Sequence, residues 1–211
     1  MTDSRLVLVG GGDFARELLG WLLHADPHLA GRLPIGFIDD GVDQLQAGGL
    51  APTSLGTIST FRPQAGDQLL MAIAAPTTRR RLHALLRERG ARFSGFRHPS
   101  AVVAATARLG EGVVLCPFSL VSEATTLGDQ VIVNSFSSVG HDAVIGAFST
   151  LSAHVDVTGH ARIGEEVLMG SGARVLPGKR VGARAVVGAG ATVMRHLAAG
   201  HTLYAPPSRI L

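Results

Sequence analysis

The stretch that decides the fold runs from Val103 to Val193, and its middle, residues 121–163, reads VSEATTLGDQVIVNSFSSVGHDAVIGAFSTLSAHVDVTGHARI. Every sixth residue from Val103 to Val193 is Val, Leu, Ile or Met, although only 27 of the 91 residues in this window are of these types. Chance would place about five of them on these sixteen positions. The period of six is therefore a property of the fold.

A six-residue period fits neither a helix, which repeats every 3.6 residues, nor a long strand, which alternates every two. It is typical of a parallel β-helix in which each hexapeptide forms one short strand and one corner. We expect the aliphatic residue, and the small residue two positions before it, to face inward. The glycine that often follows is expected to supply turn conformations that a Cβ disfavours. Three hexapeptides close one triangular coil, so equivalent positions of successive coils stack, and fifteen repeats give five coils.

Residues 1–97 read as a separate α/β domain, and residues 98–211 as the β-helix with a C-terminal tail. In the first domain the pattern predicts strands at 6–9, 34–38, 69–74 and 92–96, helices at 16–24 and 76–89, and a loop between 40 and 68. This is half of a Rossmann fold, which suits a mononucleotide better than NAD.

A glycine turn, Gly10 to Phe14 (Gly10, Gly11, Gly12, Asp13, Phe14), joins the first strand to the first helix. Free backbone N–H groups and the helix dipole make such a turn an anion site, unless it only packs helix on strand. Asp39 and Asp40 end the second strand, where carboxylates can accept hydrogen bonds from a ribose or a base. Arg79 is a further substrate-binding candidate, although an arginine run at 79–81 is more often a solvated face.

The dipeptide His141-Asp142 follows the inward position Val139, so it is expected at a corner of the β-helix. An imidazole can take a proton from an attacking amine or hydroxyl, and a neighbouring carboxylate can fix its tautomer. The stacking of successive coils places Gly159 one coil on from His141, and His160 one coil on from Asp142. His141 and Asp142 are the catalytic candidates, and Gly159 and His160 are their stacked neighbours.

The glycine turn with its paired acids, the junction His98 to Ala101 and the Gly-His-Asp of the hexapeptide region together resemble the family of sialic-acid O-acetyltransferases and bacillosamine-type N-acetyltransferases. The resemblance covers nearly the whole chain. It implies a left-handed β-helix, a homotrimer, acetyl-CoA as co-substrate, and a nucleotide-activated amino sugar or sialic acid as acceptor. It also implies that His141, paired with Asp142, is the general base, and that the Gly159 N–H contacts the thioester oxygen.

The remaining cofactor-binding candidates come from the same resemblance. The family usually has a second histidine nine positions after the catalytic one, where this chain has Thr150. The pantetheine groove is expected near Ser171 and Ala189, the latter in place of a family glycine. The segment Tyr204 to Pro207 resembles the family's closing segment only loosely.

Two other classes remain open. One is a trimeric nucleotide-binding scaffold without catalysis. The other is a metal-dependent enzyme of the carbonic anhydrase type, but histidines 141, 154 and 160 are not expected to converge within one chain, so no metal is expected. The sequence does not decide whether the acceptor group is an amine or a hydroxyl. It also does not identify the sugar, the nucleotide or the acyl group that is transferred.

The composition and the N-terminal sequence bear on whether the protein binds nucleic acid, spans a membrane or is secreted. The 211-residue chain has a net charge of +3, which does not imply nucleic acid, and no apolar window long enough to span a membrane. The start does not resemble a signal peptide, and the single cysteine, Cys116, cannot form an internal disulfide. We therefore expect a cytoplasmic protein.

Overall fold

The computed structural model describes residues 4–29, 35–41 and 52–206. The chain divides into two compact units, residues 1–99 and 100–211, slightly later than the predicted boundary. Pro34 and Pro207, which the sequence placed in a strand and in the closing segment, lie outside the described residues. No helix in the described part of the chain is long and apolar enough to cross a membrane.

The first unit is an α/β domain with a parallel sheet in the strand order β3-β2-β1-β4. Its strands are β1 (Arg5–Val9), β2 (Ile35–Ile38), β3 (Thr53–Ser54) and β4 (Asp67–Met71), and its helices are α1 (Asp13–Ala25) and α2 (Pro76–Glu88). The apolar run of β1 is buried along its length, as a central parallel strand requires. Helix α1 buries Ala15, Leu18, Leu19 and Leu22, which recur at helical spacing.

Two expectations for this unit were wrong. The strand predicted at 92–96 is reduced to a single parallel bridge between Phe93 and Leu69, followed by the two-residue strand β5 (Phe96–Arg97). Phe93 is buried, and the segment is joined to β4 by two backbone hydrogen bonds at one residue, from Leu69 N–H to the Arg92 carbonyl and from Ser94 N–H to the Leu69 carbonyl. The region read as a loop contains β3, which pairs with β2.

The second unit is a parallel β-helix with two-residue strands, which confirms the predicted fold class. Its strands form three faces. The first face consists of β6 (Val102–Val103), β9 (Leu120–Val121), β12 (Ser138–Val139), β15 (Asp156–Val157), β18 (Arg174–Val175) and β21 (Thr192–Val193). The second face consists of β7 (Arg108–Leu109), β10 (Thr126–Leu127), β13 (Val144–Ile145), β16 (Arg162–Ile163) and β19 (Arg180–Val181). The third consists, within this unit, of β8 (Val114–Leu115), β11 (Ile132–Val133), β14 (Thr150–Leu151), β17 (Leu168–Met169), β20 (Val186–Val187) and β22 (Thr202–Leu203).

The register confirms the predicted stacking of successive coils: Val139 pairs with Val157, and Ile145 with Ile163. The aliphatic positions from Leu115 onward are buried, and most of the small residues two before them are buried as well. The first coil differs, because Leu109 is 41% exposed on the end strand of the second face. An inward residue of a terminal coil has a neighbour on one side only.

The glycines after the aliphatic residues serve a different purpose from the one expected. None of them has a positive φ; the left-handed conformation falls two positions later, mostly on residues other than glycine, such as Asp142 and His160. A Cβ on Gly140 would instead lie 2.6 Å from the backbone nitrogen of Gly159 in the next coil. These glycines are therefore required by close approach of the backbone.

The β-helix continues one coil beyond the hexapeptide repeats. Val181 bridges Leu197, and Val187 pairs with Leu203, so this coil is shorter than the regular ones. Leu197 and Leu203 pack against the core although the six-residue period has ended. The last coil was missed because its first step runs only from Val193 to Leu197, which breaks the period.

Candidate active site

The corner between the first and second faces, here called the His141 corner, carries residues 140–143 and, one coil on, residues 158–161. The Nδ1 atom of His141 lies 2.9 Å from Oδ2 of Asp142, so the predicted pair is hydrogen-bonded. The backbone N–H of His160 donates to the carbonyl of His141 at 2.9 Å, which fixes the two coils in register. With side chains 61% and 46% exposed, His141 and Asp142 stand at the surface of the prism, as the sequence predicted.

Two imidazoles and one guanidinium lie near the Asp142 carboxylate. The hydrogen bond from His141 lowers the pKa of Asp142 below its usual range; partial desolvation opposes this, and the nearby charges of His160, His141 and Arg162 add to the lowering. Arg162 also donates a hydrogen bond to the backbone carbonyl of Asp142. Sequence reasoning missed Arg162, although it lies one coil on from Val144, at the start of the second-face strand that follows the corner. Asp142 is thus a carboxylate held ready to stabilise a protonated His141.

Gly159 lies next to Nε2 of His141, on the side of the ring opposite the Nδ1 that bonds Asp142. A Cβ on Gly159 would stand 2.6 Å from Nε2 of His141, well inside contact distance. The equivalent residue, two after the aliphatic position, is a non-glycine in every other repeat from Ala105 to Arg195. The corner therefore accepts a side chain elsewhere, and glycine at 159 keeps the space beside Nε2 open. In the described part of the chain, no acceptor is bonded to the N–H of Gly159.

His160 joins this cluster, contrary to the expectation that the histidines do not converge. Its ring is edge-on to that of His141, with centroids 5.0 Å apart, and its Nε2 is 4.0 Å from Oδ2 of Asp142. One ligand atom each from His141, Asp142 and His160 lie within 4.8 Å of one another, a set that could hold a metal ion. The expectation was right for His154, which stacks on Phe136 at another corner.

The glycine turn of the first unit lies where the strand order reverses, outside the carboxyl ends of β1 and β4. Ligands of open α/β sheets bind at this point. Gly10 has a φ of +109° and packs against Ala72 and Ile73, so the turn requires glycine there. A Cβ on Gly12 would meet no atom within 4 Å, so the space beside Gly12 is open to a ligand.

The two acids after β2 are occupied by the protein itself. Asp39 accepts hydrogen bonds at 2.6 Å from the backbone N–H groups of Gly11 and Gly41, and Asp40 accepts one at 3.0 Å from Ser59. Asp39 therefore holds the glycine turn in place. A carboxylate has room for about four acceptor contacts, so ligand binding by Asp39 and Asp40 stays a prediction.

The other candidates of the turn and of α2 differ in their surroundings. Asp13 forms an exposed ion pair with Arg16 at 3.0 Å, and Phe14 contacts the Trp21 ring edge-on. Arg79 is fully buried, and its Nη1 donates to the carbonyls of Ile73 and Ala74 at 2.9 Å each. Burial lowers the pKa of Arg79 to about 9, which leaves the group charged at neutral pH. Arg79 thus supports the loop beside Gly10 from within, and the solvated-face interpretation holds only for Arg80 and Arg81.

The candidates for the cofactor groove lie apart from the His141 corner. Thr150 is on β14 of the third face and is buried, which does not favour direct contact with a ligand. Ser171 and Ala189 are exposed and stack at a different corner, between the third and first faces. Their part in cofactor binding stays a prediction. An apolar cavity of about 290 Å³ is lined by Met194, Tyr204 and Pro206 near the last coil.

A β-helix of hexapeptides with a histidine–carboxylate pair at an open corner defines the class of hexapeptide-repeat acyltransferases. No family model matches the chain, and no curated protein sequence matches it. Solved structures do. One is a histidine-to-asparagine variant of perosamine N-acetyltransferase from Caulobacter crescentus in complex with CoA and GDP-perosamine; it is 30% identical, with 94% of this chain and 92% of that chain covered and a TM-score of 0.83.

Two further structures agree with this similarity. The acetyltransferase domain of PglB from Neisseria gonorrhoeae FA1090, in complex with acetyl coenzyme A, is 27% identical over 99% of this chain and 100% of that chain, with a TM-score of 0.83. WeeI from Acinetobacter baumannii AYE is 27% identical over the same shares, with a TM-score of 0.85. The chain belongs to the hexapeptide-repeat sugar acetyltransferases, which confirms the predicted family, the enzyme class and acetyl-CoA as co-substrate.

Proposed function

We propose that this enzyme transfers the acetyl group of acetyl-CoA to the amino group of a nucleotide-linked amino sugar. The observation that carries the proposal is the hydrogen-bonded pair His141 and Asp142 facing the open space at Gly159. Similarity to a perosamine N-acetyltransferase over 94% of the chain supports an amine acceptor over the hydroxyl of sialic acid. A scaffold has no need of this pair, and the carbonic anhydrase class is not among the similar structures described above.

The geometry suits a direct transfer. With its Nδ1–H held by Asp142, His141 presents Nε2 as the base that takes a proton from the acceptor amine as nitrogen attacks the thioester carbonyl. The free N–H of Gly159 donates to the oxygen on which negative charge develops. When the carbon–sulfur bond breaks, His141 returns its proton to the departing CoA thiolate. Asp142 stabilises the imidazolium between these two steps, and no acyl-enzyme forms.

The first unit binds the nucleotide of the acceptor in this proposal. The open side of Gly12 and the start of α1 offer backbone N–H groups to a diphosphate, where the positive end of the helix dipole favours an anion. Asp39 keeps this turn in shape through its bond to Gly11. The domain is half of a dinucleotide fold, which suits a nucleotide sugar.

The test is a screen of UDP-, GDP- and dTDP-linked 4-amino sugars against acetyl-CoA with detection of the released thiol, and with sialic acid as the hydroxyl control. We expect turnover with at least one amino sugar and none with sialic acid. Replacement of His141 by Ala should lower kcat about 10²- to 10⁴-fold with both KM values little changed. A variant that keeps more than about a third of the wild-type kcat would exclude His141 as the base.

We also propose a homotrimer with active sites between chains. A lone catalytic corner has no second wall to enclose a substrate, and His141 is 61% exposed. The first face, which borders the His141 corner, exposes Val102 and Leu120, and its other corner exposes Phe118 and Phe136, with relative exposures of 41–60%. Such an apolar surface suits a second copy of the chain.

Light scattering tests the trimer, since we expect three chains for the wild type. The double substitution of Phe118 and Phe136 by Lys should give a monomer of low activity that retains its thermal unfolding transition. A wild-type monomer with full activity would contradict the proposal. The cytoplasmic location stays a prediction, in agreement with the use of acetyl-CoA and a nucleotide sugar.

A further inference from the structure

The imidazole of His160 lies on the side of Asp142 away from His141. Nε2 of His160 is 4.0 Å from Oδ2 of Asp142, and the same oxygen is hydrogen-bonded to Nδ1 of His141 at 2.9 Å. A hydrogen bond needs about 2.7–3.2 Å, so the gap is about 1 Å. Both side chains are about half exposed or more, and their rotation can close it.

The backbone fixes this arrangement. Asp142 and His160 occupy the same left-handed corner position in successive coils, with φ values of 58° and 59°. The N–H of Asp142 donates to the carbonyl of Glu123, and the N–H of His160 donates to that of His141. The Asp142 carboxylate therefore lies between two imidazoles, while Arg162 donates a hydrogen bond to the backbone carbonyl of Asp142. What remains free is the rotation of the Asp142 side chain about its own bonds.

We propose that His160 is a positioning residue: its Nε2–H donates to Oδ2 of Asp142 and holds the carboxylate in the orientation that bonds His141. This inference rests on the proposed function, because it concerns the efficiency of the base. The exposed carboxylate would otherwise rotate toward water and lose its bond to His141. A donor on the far side selects the productive orientation, and its removal should affect the chemical step but not the binding of either substrate.

The first experiment compares three replacements of His160 in the full-length enzyme. Replacement by Ala should lower kcat about tenfold with both KM values nearly unchanged. Replacement by Gln places an amide N–H near the position of Nε2 and should restore most of kcat, whereas the shorter Asn should not. His28→Ala, at an exposed histidine of the first unit, is the control and should match the wild type.

The second experiment asks whether His160 acts through Asp142. In an Asp142→Asn background, His160→Ala should lower kcat by less than about twofold further, because the carboxylate it positions has gone. A full tenfold loss in that background would overturn the inference, as would wild-type kcat in His160→Ala or failure of Gln to restore activity. If any of these three results is found while His141→Ala is inactive, the proposed function stands and only the positioning role of His160 is excluded. If the wild type acetylates no amino sugar, the proposed function itself fails.

Discussion

The substitution of Gly159 by Ala should lower activity without lowering the stability of the β-helix. The new Cβ would lie 2.6, 2.8 and 3.1 Å from Nε2, Cε1 and Cδ2 of His141, where carbon contacts prefer about 3.5–4.0 Å. The backbone of Gly159 is not in the left-handed region, and the equivalent position of other hexapeptides, at the other two corners, holds Ala147, Ala153 and Ala183. The fold can therefore accept the methyl group, and the exposed ring of His141 moves instead.

The required movement is about 1 Å, and a displacement of this size in a catalytic group costs about 10²-fold in rate. That loss corresponds to about 2.7 kcal/mol of transition-state stabilisation. The methyl group also covers the N–H that is proposed to hold the oxyanion. We therefore expect kcat to fall by about 10²-fold or more while the melting temperature stays within a few degrees of the wild type.

The assay is steady-state thiol release together with thermal unfolding of the same preparation. Gly140→Ala is the contrasting variant, because its Cβ would lie 2.6 and 2.8 Å from backbone atoms of the next coil, which cannot move aside. It should lower the melting temperature strongly. A Gly159→Ala enzyme with kcat within threefold of the wild type would refute the reasoning about the space beside Nε2.

Two further predictions concern the first unit. In steady-state kinetics, Gly12→Ala should raise the acceptor KM at least tenfold and leave the acetyl-CoA KM unchanged, because the new Cβ meets no protein atom but enters the space proposed for the ligand. The control is Gly20→Ala within α1, where a Cβ is equally unobstructed. An unchanged acceptor KM for Gly12→Ala would exclude this turn as the nucleotide site. Arg79→Met should lower the free energy of unfolding by roughly 1–3 kcal/mol in denaturant titrations, because two charge-assisted hydrogen bonds to the β4–α2 loop are lost. Arg81→Met, on the exposed side of α2, should change it by less than about 0.5 kcal/mol.

The sequence predicted the β-helix, and which residues meet at the His141 corner, because one period governs both. Once the aliphatic residues define the register, counting three hexapeptides along the chain identifies which residues stack, and this places Gly159 beside His141 and His160 beside Asp142. The ladder bonds of a parallel β-helix leave little freedom to change that outcome. The same count would have placed Arg162 beside Val144 and hence near the carbonyl of Asp142.

Other features depend on contacts that the period does not describe. The hydrogen bonds that Asp39 accepts from Gly11 and Gly41 depend on the backbone just after β2, at residues 39–41, and the burial of Arg79 depends on how α2 packs beside β4. The last coil turns with a shortened step, which looks like the end of the pattern in sequence. The sequence predicted turn conformations for the repeat glycines, whereas the structure shows close backbone approach. Sequence alone does not separate the two, because both a positive φ and a close backbone approach favour glycine.

The corner position explains why so few residues make up this site. Two dipeptides that stack in successive coils, His141-Asp142 and Gly159-His160, are held in register by one backbone bond from His160 to His141. This arrangement combines an imidazole, a carboxylate, an open N–H and a second imidazole without any inserted loop. Because each strand contributes only two residues, a single-residue insertion between Val139 and Val157 would shift one dipeptide relative to the other and disrupt the inward aliphatic register as well. The geometry of the proposed site is therefore specified by the same register as the core of the β-helix.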